Sequence, residues 1–193
     1  MTSSRLLRAA DYPRMPWKNG AGSTLEIARD AGDGLDGFGW RLSIADVGES
    51  GGFSAFTGYQ RVITVLEGAG MRLTVDGRPS RCLTALDAFA FDGGAAVSCE
   101  LLDGPIRDFN LIYSPKRYVA RLQWLRAEGE VRLFSSASTL LLFAAEAGVG
   151  VEIDGQSTEV MGRYDCLHLE AGGALAEVKL NGGACCLIEL TPR

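Results

Sequence analysis

The residues best suited to chemistry lie in three short stretches between Met15 and Asn110. The first runs Met15-Pro16-Trp17-Lys18-Asn19-Gly20-Ala21-Gly22-Ser23-Thr24-Leu25-Glu26-Ile27. Gly20 and Gly22 allow backbone angles closed to other residues and let a ligand approach the main chain. Trp17 supplies a large amphipathic wall, and Lys18, Asn19, Thr24 and Glu26 put charges and hydrogen-bonding groups close together. The alternative is a tight loop leading into an edge strand. The second stretch, Gly52-Phe53-Ser54-Ala55-Phe56-Thr57-Gly58-Tyr59-Gln60-Arg61, ends on an arginine just before an apolar run. A guanidinium there can fork onto a carboxylate or serve as an ordinary surface or ion-paired arginine. The third is Asp108-Phe109-Asn110, where the two polar residues share one face of an extended chain opposite Phe109. They line a cavity or face solvent. Together the three stretches have the makings of a small-molecule pocket.

Transition-metal chemistry of the kind run by histidine-rich sites is not expected. The chain has one histidine, His168, and neither a CxxC nor an HExxH pattern. His168 lies between Leu167 and Leu169, so on a strand it faces away from them, and it is read as structural or exposed. The five cysteines, Cys82, Cys99, Cys166, Cys185 and Cys186, are odd in number and scattered. They read as small core residues and not as a disulfide framework. No cofactor is implied. A net charge of -5 with no basic run argues against a nucleic-acid partner. No apolar stretch is long enough to span a bilayer, and the first ten residues lack a signal-peptide core. A cytoplasmic location is the expectation, and a homodimer is left open.

These residues must be held by strands. Trp40, Leu42 and Ile44 alternate with Arg41 and Ser43, which places Arg41 and Ser43 on a common face. Met71, Leu73 and Val75 alternate with Arg72 and Thr74, and the Asp76-Gly77 turn signal follows. Phe109, Leu111 and Tyr113 oppose Asp108 and Asn110. The 25 glycines are dispersed between short apolar runs, the pattern of a sandwich or barrel. One short helix is expected at Tyr118 to Ala127.

An internal repeat organises the chain. Ala69-Gly70 recurs 78 residues later as Ala147-Gly148, Asp76-Gly77 as Asp154-Gly155, Asp87 as Asp165, and Gly94 as Gly172. Leu102-Asp103-Gly104 aligns with Leu180-Asn181-Gly182 without a gap, and His168 falls opposite Ala90. A duplicated β unit follows. The order of strands and turns resembles the cupin module, a small double-sheet jelly roll. The expected fold is all-β and bicupin-like: one half over 1–115, carrying extra N-terminal strands and the pocket, and a second over 116–193, joined by a linker near 114–129.

A more specific resemblance rests on Met15-Pro16-Trp17-Lys18-Asn19-Gly20, Trp40-Arg41-Leu42-Ser43-Ile44-Ala45, Phe53-Ser54-Ala55-Phe56, Leu66-Glu67-Gly68, and Gly104-Pro105 with Asp108-Phe109-Asn110-Leu111. In this order they resemble the HutD/Ves family. Ala21 interrupts a glycine run that is often unbroken there, and the second half carries no matching motif. The resemblance implies a bicupin-like fold and an accessory or regulatory association with bacterial histidine utilisation, whose intermediates are small polar carboxylates such as urocanate and formylglutamate. With the residue types above, it implies a ligand-binding set of Trp17, Lys18, Asn19, Thr24, Glu26, Arg41, Ser43, Phe53, Arg61, Asp108 and Asn110, with no catalytic residue and no metal ligand.

Three functions fit such a set. The preferred one is a non-catalytic binder of a small carboxylate or imidazole-type metabolite. The second is a metal-independent cupin enzyme, an isomerase or lyase using Lys18, Asp108 or Glu26 for proton transfer. The third is a protein-interaction module.

Overall fold

The computed structural model describes residues 3–193; Met1 and Thr2 of the expected first half lie outside the described residues. The chain divides into two compact units, Tyr12–Arg117 and residues 3–11 with Tyr118–Arg193. Residues 3–11 therefore part from the half in which the sequence boundary at 115 put them.

In the Tyr12–Arg117 unit, six antiparallel strands lie in the order Arg14–Pro16, Gly22–Arg29, Trp40–Val47, Ile106–Tyr113, Gln60–Glu67 and Ala88–Asp92. A second sheet has the order Gly51–Gly52, Val97–Leu101, Met71–Val75 and Arg78–Leu83. Ala45, Ile63, Val65, Met71, Leu73, Leu83, Val97 and Cys99, drawn from both sheets, form one buried core. This is the packing that a two-sheet jelly roll requires.

The other unit repeats the plan. Its larger sheet runs Ser3–Leu7, Cys166–Glu170, Thr139–Ala144, Gly183–Pro192 and Tyr118–Ala127, and its smaller sheet runs Val131–Ser135, Ala176–Asn181, Gly150–Ile153 and Gln156–Ser157. The Tyr118–Ala127 segment is a strand and not the expected helix. Val119, Leu122 and Leu125 are spaced as on a helix face, but all ten residues pair in register with Gly183–Pro192, and this continuous ladder overrides a weak local pattern. The expected 114–129 linker is accordingly a short turn leading into that strand.

The duplication is visible in the backbone. Asp76 and Asp154 have φ of 47° and 48°, Gly77 and Gly155 of 77° and 81°, and Leu86 and Tyr164 of 63° and 69°. The gapless alignment breaks later. Asp76 Oδ1 accepts from the Ala96 amide and Asp154 Oδ1 from the Glu177 amide, so these amides are equivalent at a spacing of 81 and not 78. Three residues are inserted in the second hairpin, and Leu102-Asp103-Gly104 does not correspond to Leu180-Asn181-Gly182.

Asp165 fastens the N-terminal segment to its unit. Its carboxylate accepts from the Ala9 amide at 2.8 Å, the Gly162 amide at 2.9 Å and Arg8 Nη1 at 2.8 Å. Burial opposes its ionisation, but hydrogen bonds from Ala9, Arg8 and Gly162 hold its pKa below the usual value. Asp165→Ala is expected to cost about 1–3 kcal/mol at neutral pH, because it strands these donors; urea unfolding measures it. A depressed carboxyl pKa stabilises above the unfolded value, so the difference from wild type should fade as pH falls through about 4 and below.

Candidate functional site

A cavity of about 650 Å³ opens in the Tyr12–Arg117 unit. Ten of the eleven residues expected at a ligand site line it: Trp17, Lys18, Asn19, Thr24, Arg41, Ser43, Phe53, Arg61, Asp108 and Asn110. The strand alternation explains the convergence. Arg41 and Ser43 share one face of Trp40–Val47, and Ser43 lies opposite Asn110 on Ile106–Tyr113. Arg61 pairs with Ile112 on the other side of that strand. Their apolar neighbours Leu42, Ile44, Phe109 and Leu111 are buried.

The N-terminal loop forms one rim. The Trp17 amide bonds to the Gly22 carbonyl, and Trp17 Nε1 donates to Thr24 Oγ1 at 2.9 Å. The exposed Asn19 side chain caps its own turn, accepting from the Ala21 amide at 3.1 Å. A Cβ on Gly22 would lie 2.2 Å from the Asp46 carbonyl oxygen and 3.0 Å from the indole, so no side chain fits there. Gly20 has φ of +72°. Ala21, between them, has no positive φ, so the alanine that breaks the glycine run is tolerated.

Glu26 is the one expected site residue that does not line the cavity. It lies opposite Ser43 in register, but its carboxylate accepts from Arg41 Nε at 2.7 Å and Arg29 Nε at 2.7 Å. Burial works against its charge, yet hydrogen bonds from Arg29 and Arg41 and their positive charges keep its pKa below the normal carboxylate value. One carboxylate is thus shared by two guanidiniums, and Arg41 Nη2 is buried with no hydrogen-bond partner.

Arg61 is stranger. It is 6% exposed and has no carboxylate in salt-bridge contact among the described residues. Its Nη2 donates to Asn110 Oδ1 at 2.8 Å and its Nη1 to the Ser54 carbonyl at 3.2 Å, while Nε has no partner. The rings of Phe91, Phe56 and Phe53 sit 5.1, 5.5 and 5.6 Å from its guanidinium carbon, and their faces supply part of the stabilisation that a counter-ion would give. Burial lowers its pKa to about 10, with Asp108 opposing and Arg41 adding to the fall. It remains a cation at neutral pH. Asn110 Nδ2 in turn donates to Asp108 Oδ1. Asp108 is 1% exposed. Burial pushes its pKa up to about 7; Arg61 and the Asn110 hydrogen bond pull it down, and Asp46 pushes it further up.

The wall therefore holds two buried guanidiniums with unused donors, the Lys18 ammonium at the mouth, and one carboxyl group poised between its charged and neutral forms. Such a set favours an anion and disfavours a cation. Among the described residues no three His, Cys, Asp or Glu side chains gather as a metal site. A second depression of about 650 Å³ is lined by Arg14, Asp46, Glu67 and Arg107. There the cations are already paired: Arg14 and Arg107 reach Asp46 at 2.8 and 2.6 Å, and Arg107 reaches Glu67 at 3.7 Å.

Several cavity residues escaped the sequence analysis. Ala45 and Ile112 continue the alternations of Arg41/Ser43 and Asp108/Asn110 and were legible by that rule. Phe56 belongs to the same short motif as Phe53. Met15 stood in the first stretch but was not assigned to the ligand set, and Leu35 gave no signal; both are exposed side chains bordering the cavity.

Among the described residues the other unit has no counterpart of this polar cluster. Ala88–Asp92 and Cys166–Glu170 are equivalent, and their pairings carry Arg61 onto Leu140, Asp108 onto Cys185 and Asn110 onto Leu187. All three replacements are buried in one apolar core. His168 lies on the opposite face of its strand from that core, with Nε2 2.6 Å from Glu170 Oε1.

A family model described as HutD matches residues 9–187. An uncharacterised 21.2 kDa protein in the hutC 3′ region of Pseudomonas putida is 63% identical over 193 residues, covering 100% of both chains. A conserved protein of unknown function from Pseudomonas aeruginosa PAO1 shares 61% identity and superposes with a TM-score of 0.96, covering 98% of this chain and 99% of that one. HutD from Pseudomonas fluorescens SBW25 shares 57% identity with a TM-score of 0.88, covering 99% and 100%. The fold alone extends further, to the bacterial pirin YhhW of Escherichia coli at 12% identity and a TM-score of 0.70, covering 98% and 99%. The fold is thus all-β and bicupin-like, and the chain belongs to the HutD family.

Proposed function

We propose that this protein is a receptor for a small carboxylate intermediate of histidine utilisation, of the formylglutamate or urocanate type, which it binds without chemical change to regulate the pathway. The observation that carries the proposal is the pair of buried, unpartnered guanidinium nitrogens, Arg41 Nη2 and Arg61 Nε, on two residues that line one cavity. A buried donor left unmade is costly, most of all on a charged group, and an incoming carboxylate would supply the missing acceptors. Family membership supports the metabolic setting, as does the P. putida relative's place beside hutC. The HutD structure from P. fluorescens is of a formate condition, and formate is the simplest carboxylate.

A second reading draws on one specific feature. A buried carboxyl with a pKa near 7 is suited to general acid–base work, so a metal-independent isomerase or lyase centred on Asp108 is the alternative. One experiment separates them. Purified protein is melted with N-formylglutamate, urocanate, histidine, glutamate or formate, and each mixture is followed by NMR. For a receptor, one carboxylate raises the melting temperature in a dose-dependent way, by about 2.7 kcal/mol of stability at a hundredfold excess over Kd, and its spectrum does not change with time. Conversion of the compound would favour the enzyme. A flat response to all five would remove the carboxylate reading.

A further inference from the structure

We infer that Asp108 couples carboxylate binding at Arg61 to the uptake of a proton, so that the cavity loads at low pH and unloads at high pH. The inference rests on the carboxylate-receptor reading and adds its regulation. Asp108 and Arg61 line the same cavity and are joined through one side chain: Asn110 Oδ1 accepts from Arg61 while Asn110 Nδ2 donates to Asp108. An anion held by Arg61 thus shares a low-dielectric cavity with a buried carboxyl that has no salt bridge of its own among the described residues. Two like charges in such a place cannot both be comfortable. The protein's cheapest response is to protonate Asp108.

The groups around Asp108 point the same way. On the Gln60–Glu67 strand it meets Arg61, which stays protonated with a pKa lowered to about 10 by burial. On Trp40–Val47, Asp46 disfavours its ionisation, and Arg41 faces the cavity but is already engaged by Glu26. On Val97–Leu101 the Cys99 thiol is pushed up to about 12 by burial, with Asp108 and Glu100 adding to the rise, so it remains neutral throughout. Lys18 stands exposed at the mouth. Asp108 is the group that titrates near neutrality, from about 7 in the empty cavity. A bound carboxylate raises that value further. Affinity is therefore highest where Asp108 is already neutral and falls as pH rises through the empty-site and loaded-site pKa values.

The test is calorimetry of the wild-type protein with N-formylglutamate, whose carboxylates stay ionised from about pH 5.5 to about pH 8.5. Kd should rise about tenfold or more across that range, one decade for each unit by which the ligand raises the Asp108 pKa. Titrations just above neutral pH in buffers of different ionisation enthalpy should show net proton uptake approaching one per ligand. Asp108→Asn should give a flat profile and bind more tightly than wild type at the alkaline end. Asp46→Asn, outside the cavity wall, should move the wild-type midpoint to lower pH. Binding with a pH-independent Kd and no proton uptake would overturn the inference and leave the receptor reading intact, as would an unchanged slope in Asp108→Asn. Absence of binding by this ligand, formate and urocanate at every pH would overturn both. The proton-uptake measurement needs no variant and decides the matter even if Asp108→Asn fails to fold.

Discussion

Arg61→Ala is expected to weaken carboxylate binding roughly ten- to hundredfold, the loss of one charge-assisted contact worth about 1.5–3 kcal/mol. At a ligand concentration that stabilises the wild type by several degrees, the variant's melting temperature should hardly move. The same change at Lys18 should cost less than about 1 kcal/mol, because an exposed ammonium is screened and flexible. This order follows from burial: Arg61 is desolvated in a phenylalanine cage before the ligand arrives, whereas Lys18 is still hydrated. Isothermal titration of both variants reads the order directly. Equal effects, or a larger one at Lys18, would mean that the ligand sits at the mouth and not against the buried wall.

A larger and less intuitive effect is expected from making the first unit resemble the second. Arg61→Leu, Asp108→Cys and Asn110→Leu together install the side chains of Leu140, Cys185 and Leu187, which pack without polar groups at the equivalent positions. Replacing a buried charged cluster by apolar residues commonly stabilises by about 1–4 kcal/mol. The triple variant should thus melt several degrees higher than wild type and bind no carboxylate. Such a trade of stability for a polar cavity is what a functional site looks like in energetic terms. A triple variant less stable than wild type would show that the arginine and its partners serve the fold, and that the cavity is a by-product of packing.

How much of this was legible in the sequence depended on period and on local chemistry. The period-2 alternation of Trp40–Val47 and Ile106–Tyr113 was enough to put Arg41, Ser43, Asp108 and Asn110 on shared faces, because strand geometry leaves a side chain only two directions. The Asp-Gly turns at 76–77 and 154–155 were readable for the same reason: their φ values demand these residue types. Three things were not readable. Glu26 was grouped with the cavity residues by proximity in sequence; it does lie opposite Ser43, but Arg29 and Arg41 hold its carboxylate and it does not line the cavity. The Ser3–Leu7 strand joined the opposite half because pairing with Cys166–Glu170 spans most of the chain, and nothing local encodes it. The three-residue insertion near Gly172 was masked because the next Leu-x-Gly happened to recur in the gapless register. Leu35 shows the limit most simply: it lies in an irregular loop, and no periodicity aims it at the cavity.

The central claim is that the first unit holds a preformed anion site built on Arg41 and Arg61, and that the second unit holds none. Its most direct test is a crystal structure of the protein with N-formylglutamate at saturating concentration. The account predicts a carboxylate within hydrogen-bond distance of Arg61 and of the free Arg41 nitrogen, with the polar wall unmoved and no ligand among Leu140, Cys185 and Leu187. A ligand bound elsewhere, or a cavity that stays empty at saturation with both guanidiniums still unpartnered, would contradict it.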